Sequence, residues 1–213
     1  MLHLPRLSLV TALAGQTAAV LVNGLKPKIP LGLICLPHKE NDAWWYISPF
    51  SGSLIKASSP PPFGGGNLPA KLKEALACCD DPYKCNWYPE VTVTKAESAL
   101  SRYECKLRWL GNHNFLFSFV YASWSACLYK DTKEAFAAIS NLPSFQSRRA
   151  DQCFLRSLLA AKTSRSFAKS GVLFIGAELS SGEMHAWILE CGSQPDHEDR
   201  AWVNYRPLLA WVR

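Results

Sequence analysis

The chain has 213 residues, long enough to bury a substantial core as one large domain or two small ones. Hydrophobic residues make up 48% and charged residues 19%, which excludes a disordered or low-complexity protein. The net charge of +6 is spread out, with Arg148-Arg149 as the only adjacent Lys/Arg pair, so a nucleic-acid partner is not expected.

The first segment, "MLHLPRLSLVTALAGQTAAVLVNGL", has a weakly basic start and an apolar middle, as a secretory signal does. Gln16, Thr17 and Asn23 interrupt it, and no small-x-small cleavage site follows. A translational start placed too far upstream, or a structural first segment, fits as well. The longest mostly apolar run elsewhere, Phe115 to Leu128, is shorter than the roughly 20 residues of a membrane span. The expectation is a cytoplasmic protein without stable membrane insertion.

"LGLICLP" (Leu31 to Pro37) and "AWWYISPFSGSLIKA" (Ala43 to Ala57) read as two or three strands, with Pro49, Ser51 and Gly52 supplying a turn. Trp44 and Trp45 are adjacent, so alternation lets at most one face a core. "SSPPPFGGGN" is a loop that neither helix nor sheet accepts. "NLPAKLKEALACC" predicts a short helix with Asn67 as cap, Pro69 in its first turn, and Leu68, Leu72 and Leu76 on one face. These elements form a small strand-and-helix module over residues 1–90.

The second half, residues 91–213, opens with helices. "ESALSRYECKLRWLG" aligns Leu100, Tyr103, Leu107 and Leu110 on one stripe, with Gly111 at the expected stop. "NFLFSFVYASWSACL" is apolar on all sides and predicts a buried central helix. Asp131-Thr-Lys-Glu134 has capping-box spacing ahead of "KEAFAAISNL". "ADQCFLRSLLAAK" predicts a helix with Phe154, Leu155, Leu158 and Leu159 inward, and "GVLFIGAEL" and "MHAWILE" read as strands. The fold class is α+β.

The eight cysteines are irregularly spaced, and the group Cys78-Cys79-x5-Cys85 lacks a matching second pair. Neither a disulfide framework nor a zinc site is expected. Cys153 differs from the rest because it falls in the first turn of its helix, where unsatisfied N–H groups and the helix dipole favour a thiolate. A cysteine on a helix is more often core than nucleophile. His185, which opens a strand 32 residues later, supplies the base and acid that a thiol nucleophile needs. A carboxylate beyond that strand would then hold the imidazole in one tautomer.

The stretch from Asp151 to Glu190 resembles the transglutaminase-like cysteine peptidases of lasso-peptide biosynthesis. Cys153, Arg156, Ser157 and Leu158 match that family's Cys-Leu-x-Arg-Ser-Leu helix; Leu173, Ile175 and Gly176 match its middle strand. His185, Ala186, Trp187 and Glu190 approximate its His-Ala-Trp-Val-Glu strand. The resemblance implies a transglutaminase-like, papain-like peptidase domain behind a winged-helix-like module that recognises the precursor leader peptide. It makes Cys153 the nucleophile, His185 the general base and acid, and Asp196 the third residue, by spacing from His185. The family's Asn-Asp pair is missing from "CGSQPDHEDRAWVNYRPLL", and Asp199 is the alternative if the hairpin turns at Gly192-Ser193.

The implied activity is removal of the leader peptide from a ribosomally made lasso precursor. An ATP-dependent, asparagine-synthetase-like cyclase is the implied partner, and no metal or organic cofactor is expected. Two other readings stay open: a Cys-His-Asp acyltransferase or transglutaminase, and a non-catalytic leader-binding escort with a buried thiol.

Overall fold

The computed structural model describes residues 32–62, 67–87, 98–124, 126–146, 152–196, 199 and 201–213. The signal-like segment, Asp151, Arg148-Arg149 and the expected boundary at residues 90 and 91 lie outside these.

The architecture is α+β, with two sheets. In chain order the strands are β1 (Leu33–Cys35), β2 (His38–Glu40), β3 (Ala43–Ile47), β4 (Leu54–Ala57), β5 (Asn86–Trp87), β6 (Gly171–Ala177), β7 (Met184–Glu190), β8 (Ser193–Gln194) and β9 (Arg206–Val212). The helices are α1 (Ala70–Asp80), α2 (Ser98–His113), α3 (Phe115–Ser123), α4 (Thr132–Ser140), α5 (Cys153–Thr163) and α6 (Phe167–Ser170). The larger sheet has the order β1-β9-β6-β7-β8-β5 and is antiparallel except between β5 and β8. The smaller one is an antiparallel β2-β3-β4 meander.

Strand β6 is buried at all seven positions because the large sheet is covered on both faces. Alternation sends its side chains to two different cores. Leu173, Ile175 and Ala177 join Ala186, Ile188, Leu209 and Trp211 beneath the helices, where Leu100, Leu107, Phe119, Phe136, Leu158 and Leu159 meet them. Val172 and Phe174 turn the other way, towards Trp187, Leu189, Trp202 and the inner face of α1. Each fully buried side chain of this size contributes roughly 1.5–3 kcal/mol over exposure, so the two layers are the main source of stability.

Gly176 is required by geometry. It lies opposite His185 on β7, and on its other side β9 shifts register between Ile175 and Gly176. A Cβ at residue 176 would stand 2.3 Å from the Arg206 carbonyl oxygen. The irregularity therefore presses β9 against β6 at the level of Gly176, whose other neighbour across the sheet is His185 on β7.

The expected strand–strand–helix sequence of the first half is present as β3, β4 and α1. However, β1 pairs with β9, β5 pairs with β8, and α1 packs into the second core. Trp45 and Leu54 of the small sheet rest on the first core. Among the described residues, the chain on either side of residue 90 shares one sheet and both cores. Strand β2 escapes sequence reading because "HKE" is polar and only three residues long; pairing with β3 makes it a strand.

Three local expectations are corrected. Helix α2 runs through Gly111 to His113, since Asn114 is the residue that leaves helical geometry and caps α3 by accepting from Phe117 N–H at 3.1 Å. Pro69, not Asn67, occupies the cap position of α1. Helix α3 is not buried on all sides: Ser118, Phe119 and Ala122 face the core, while Phe117 is 39% exposed. The capping box of α4 forms as expected at Asp131, which accepts from Glu134 N–H at 3.0 Å; the return contact from Glu134 is made to Lys130 N–H at 3.1 Å.

Candidate active site

Cys153 is the first residue of α5, and Gln152 takes the cap position. The thiol is thus at the positive end of an 11-residue helix. His185 is the second residue of β7; its ring hydrogen-bonds to Asp199 and lies near enough to the Cys153 thiol for that group to raise its pKa. Nε2–H donates to Asp199 Oδ2 at 2.8 Å, which leaves Nδ1 as the ring nitrogen that exchanges a proton with the thiol.

The thiol and the histidine are held together by the helix itself. Ser157 Oγ–H, one turn beyond Cys153, donates to the Ala186 carbonyl at 3.1 Å and so locks α5 against the strand position after His185. Tyr205 stacks on the imidazole with ring centres 4.9 Å apart. His185 and Asp199 side chains are only 15% and 12% exposed, so their charges interact in a poorly screened setting. Burial alone would lower the His185 pKa. The hydrogen bond to Asp199, the nearby Cys153 side chain and the charges of both outweigh burial and raise it to about 10. The imidazolium form is therefore the resting state at neutral pH. Burial, followed by the nearby Glu183, Cys153, Glu178 and Asp199 charges, raises the pKa of Tyr205 and keeps it a neutral ring.

The third residue expected from spacing, Asp196, is not at the histidine. Its carboxylate pairs with Arg156 at 2.9 Å, and Asp199 takes the place beside His185. The reason is the hairpin. Cys191 and Gly192 both have positive φ, 49° and 67°, the pattern of a tight two-residue turn that puts Ser193 opposite Glu190. Beyond β8, Asp199 N–H donates to the Asp196 carbonyl at 3.1 Å. That bond ties the later aspartate to the earlier one and sets it beside the histidine. Counting residues from His185 could not register it.

Cys153 and His185 open onto a cleft of about 560 Å³. Phe115, Phe154, Ile175 and Met184 give it an apolar wall, and the β3–β4 turn at Phe50, Ser51 and Gly52 closes one side. Phe115 stacks on Phe154, ring centres 5.2 Å apart, and Gly52 (φ +73°) lies so close that a Cβ there would stand 2.6 Å from the Phe115 ring. Sequence reading missed this contribution of the small sheet, since nothing in "SPFSGS" indicates which surface the turn will touch. A second hollow of about 750 Å³ is lined among others by Trp45, Lys56, Asp80, Tyr205 and Arg206. All eight cysteines are free thiols, and among the described residues no helix is long and apolar enough to cross a membrane.

A thiol at a helix N-terminus, an imidazolium beside it and a carboxylate behind the imidazole make up the constellation for acyl transfer through a thioester. No family model matches the chain, and neither a curated protein nor a solved structure does.

Proposed function

We propose that the chain is a cysteine peptidase that removes the leader from a ribosomally made lasso-peptide precursor. The observation that carries this reading is the Asp199–His185–Cys153 array at the mouth of a cleft. The Cys153 thiolate attacks the scissile carbonyl, with the helix N-terminus, including the Cys153 N–H, facing the developing oxyanion. His185 gives its proton to the leaving amine, which is the new N-terminus of the core peptide. The neutral imidazole then takes a proton from water, the resulting hydroxide attacks the thioester, and the C–S bond breaks to release the leader as a free acid and return Cys153 as a thiolate beside the imidazolium. Asp199 holds Nε2–H throughout and stabilises the imidazolium.

The residue resemblance over Asp151 to Glu190 directs this chemistry to leader removal, within a transglutaminase-like domain and in the cytoplasm. The edges of the β2-β3-β4 sheet suit a leader added as an extra strand. The freed amine would pass to an ATP-dependent, asparagine-synthetase-like lasso cyclase, which closes the macrolactam. Acyl transfer through Cys153 needs no metal or organic cofactor.

The test is mass spectrometry of a lasso precursor incubated with the protein and its cyclase, comparing wild type with Cys153→Ala. Release of leader as a free acid by wild type alone supports the proposal. A leader–amine adduct in its place identifies an acyltransferase. Equal cleavage by both proteins overturns catalysis at Cys153 and leaves a leader-binding escort.

A further inference from the structure

We propose that Arg156 and Asp196 are positioning residues: their ion pair ties the segment carrying Asp199 to the helix carrying Cys153, so that nucleophile and carboxylate stay in register. This rests on reading Cys153, His185 and Asp199 as a catalytic unit, but not on the identity of the peptide cleaved.

Arg156 lies three residues after Cys153, within one turn of α5. Its Nη2 donates to Asp196 Oδ1 at 2.9 Å and to Ser140 Oγ at 3.0 Å, and the guanidinium stands 5.6 Å from the centre of the Phe136 ring on α4. The Asp196 side chain is only 7% exposed, and its backbone is held from both sides. Its N–H donates to Gln194 Oε1 at 3.3 Å, and its carbonyl accepts from Asp199 N–H at 3.1 Å. The route from helix to acid is therefore short: Arg156 side chain, Asp196 side chain, Asp196 carbonyl, Asp199 backbone.

A buried ion pair is an inefficient way to gain stability, since an apolar pair of similar volume often does as well or better. It does impose direction and register, which packed hydrocarbon does not. The Cys153–His185 contact has a separate anchor in the Ser157 hydrogen bond to Ala186. Loss of the Arg156–Asp196 pair should accordingly release Asp199 while leaving the thiol beside the imidazole. A purely structural pair would have no such selective effect.

The measurement uses the full chain and iodoacetate, an anionic alkylating agent whose reaction with the thiolate is favoured by a neighbouring imidazolium. The carboxymethylation rate is read at the Cys153 peptide by mass spectrometry across the alkaline range, so that the exposed Cys105, Cys127 and Cys191 do not interfere. The alkaline fall in rate reports loss of the His185 proton. Asp196→Asn should move that fall to lower pH, as Asp199→Asn does, and the Asp196→Asn/Asp199→Asn double variant should match Asp199→Asn alone. A fall lower by one pH unit reads as a roughly tenfold lower rate above it. Arg156→Lys, which keeps the charge but loses the fork, should lie between wild type and Asp196→Asn.

A wild-type profile in Asp196→Asn overturns the proposal, as does a double variant displaced by the sum of the two single shifts. Near-ultraviolet circular dichroism checks folding of each variant. Should Asp196→Asn fail to fold, Arg156→Lys and Asp196→Glu decide by the same criterion. Displaced profiles in a protein that never releases leader would sink the peptidase reading and keep the positioning role. Cys153-dependent leader release with an unmoved profile would do the reverse.

Discussion

Replacing Asp199 by Asn tests the electrostatics of the site most directly. Asparagine keeps the size of the side chain and an oxygen to accept from Nε2–H, so the ring stays oriented while the charge is lost. His185 stands at about 10 against an ordinary 6.5, a preference for the imidazolium worth roughly 5 kcal/mol. Burial opposes this preference, so all of it comes from Asp199 and Cys153, and the Asp199 hydrogen bond is the first of the raising contributions. Removing a buried counter-charge of this kind lowers a pKa by about 1–3 pH units. The alkaline fall in Cys153 carboxymethylation should therefore move from near pH 10 to lower pH by that amount. The Cys153 contribution remains and keeps the histidine above its ordinary value. A fall that stays where wild type has it would refute the assignment of Asp199 as the group that holds the proton on His185.

Stability should carry the same signature. Folding raises the His185 pKa, so its contribution is complete below pH 6.5 and is lost as pH rises through about 10. Urea unfolding between pH 7 and 9 should show wild type losing up to about 1.4 kcal/mol per pH unit more than His185→Gln, with other groups cancelling in the comparison. Gly176→Ala places a methyl 2.3 Å from the Arg206 carbonyl and should lower the unfolding free energy by about 1–3 kcal/mol, read by the same method. Gly52→Ala adds the strain of φ +73° to a clash with Phe115, costing about 1 kcal/mol or more. Because Phe115 lines the cleft, the variant should also reduce kcat/KM for the proposed leader cleavage with Cys153 alkylation unchanged; unchanged cleavage would remove the β3–β4 turn from the substrate path.

Much of the secondary structure was legible because local chemistry and tertiary need agree. Asp131 and Glu134 open α4 where their spacing says they should, and the runs "GVLFIGA" and "MHAWILE" become β6 and β7. Cys153 and His185 could be singled out because each sits at the end of an element, where orientation follows from the element's own geometry. Asp199 could not be chosen over Asp196 by counting. Its position depends on the Cys191–Gly192 turn, on its backbone bond to Asp196 and on which carboxylate Arg156 takes, and these are decided in three dimensions. The aromatic wall of the cleft was hidden for a related reason. Phe115, in a run apolar on all sides, and Phe154, on the inward face of its helix, read as core; the turn of the small sheet against Phe115 is what closes them into a cleft.

The placement of β1 and β5 has a practical consequence for anyone dividing the chain. They occupy the two outer positions of the large sheet, yet both precede residue 88, whereas the strands between them all follow residue 170. A fragment beginning near residue 91 would present β9 and β8 with open hydrogen-bonding edges and strip α1 from the apolar layer of Trp187, Trp202 and Phe174. Open edges beside uncovered hydrocarbon favour association with other copies over independent folding. Co-expression of the two halves, so that each strand meets its partner before it meets a second copy, is the form in which a split protein should recover the alkylation behaviour of the intact one.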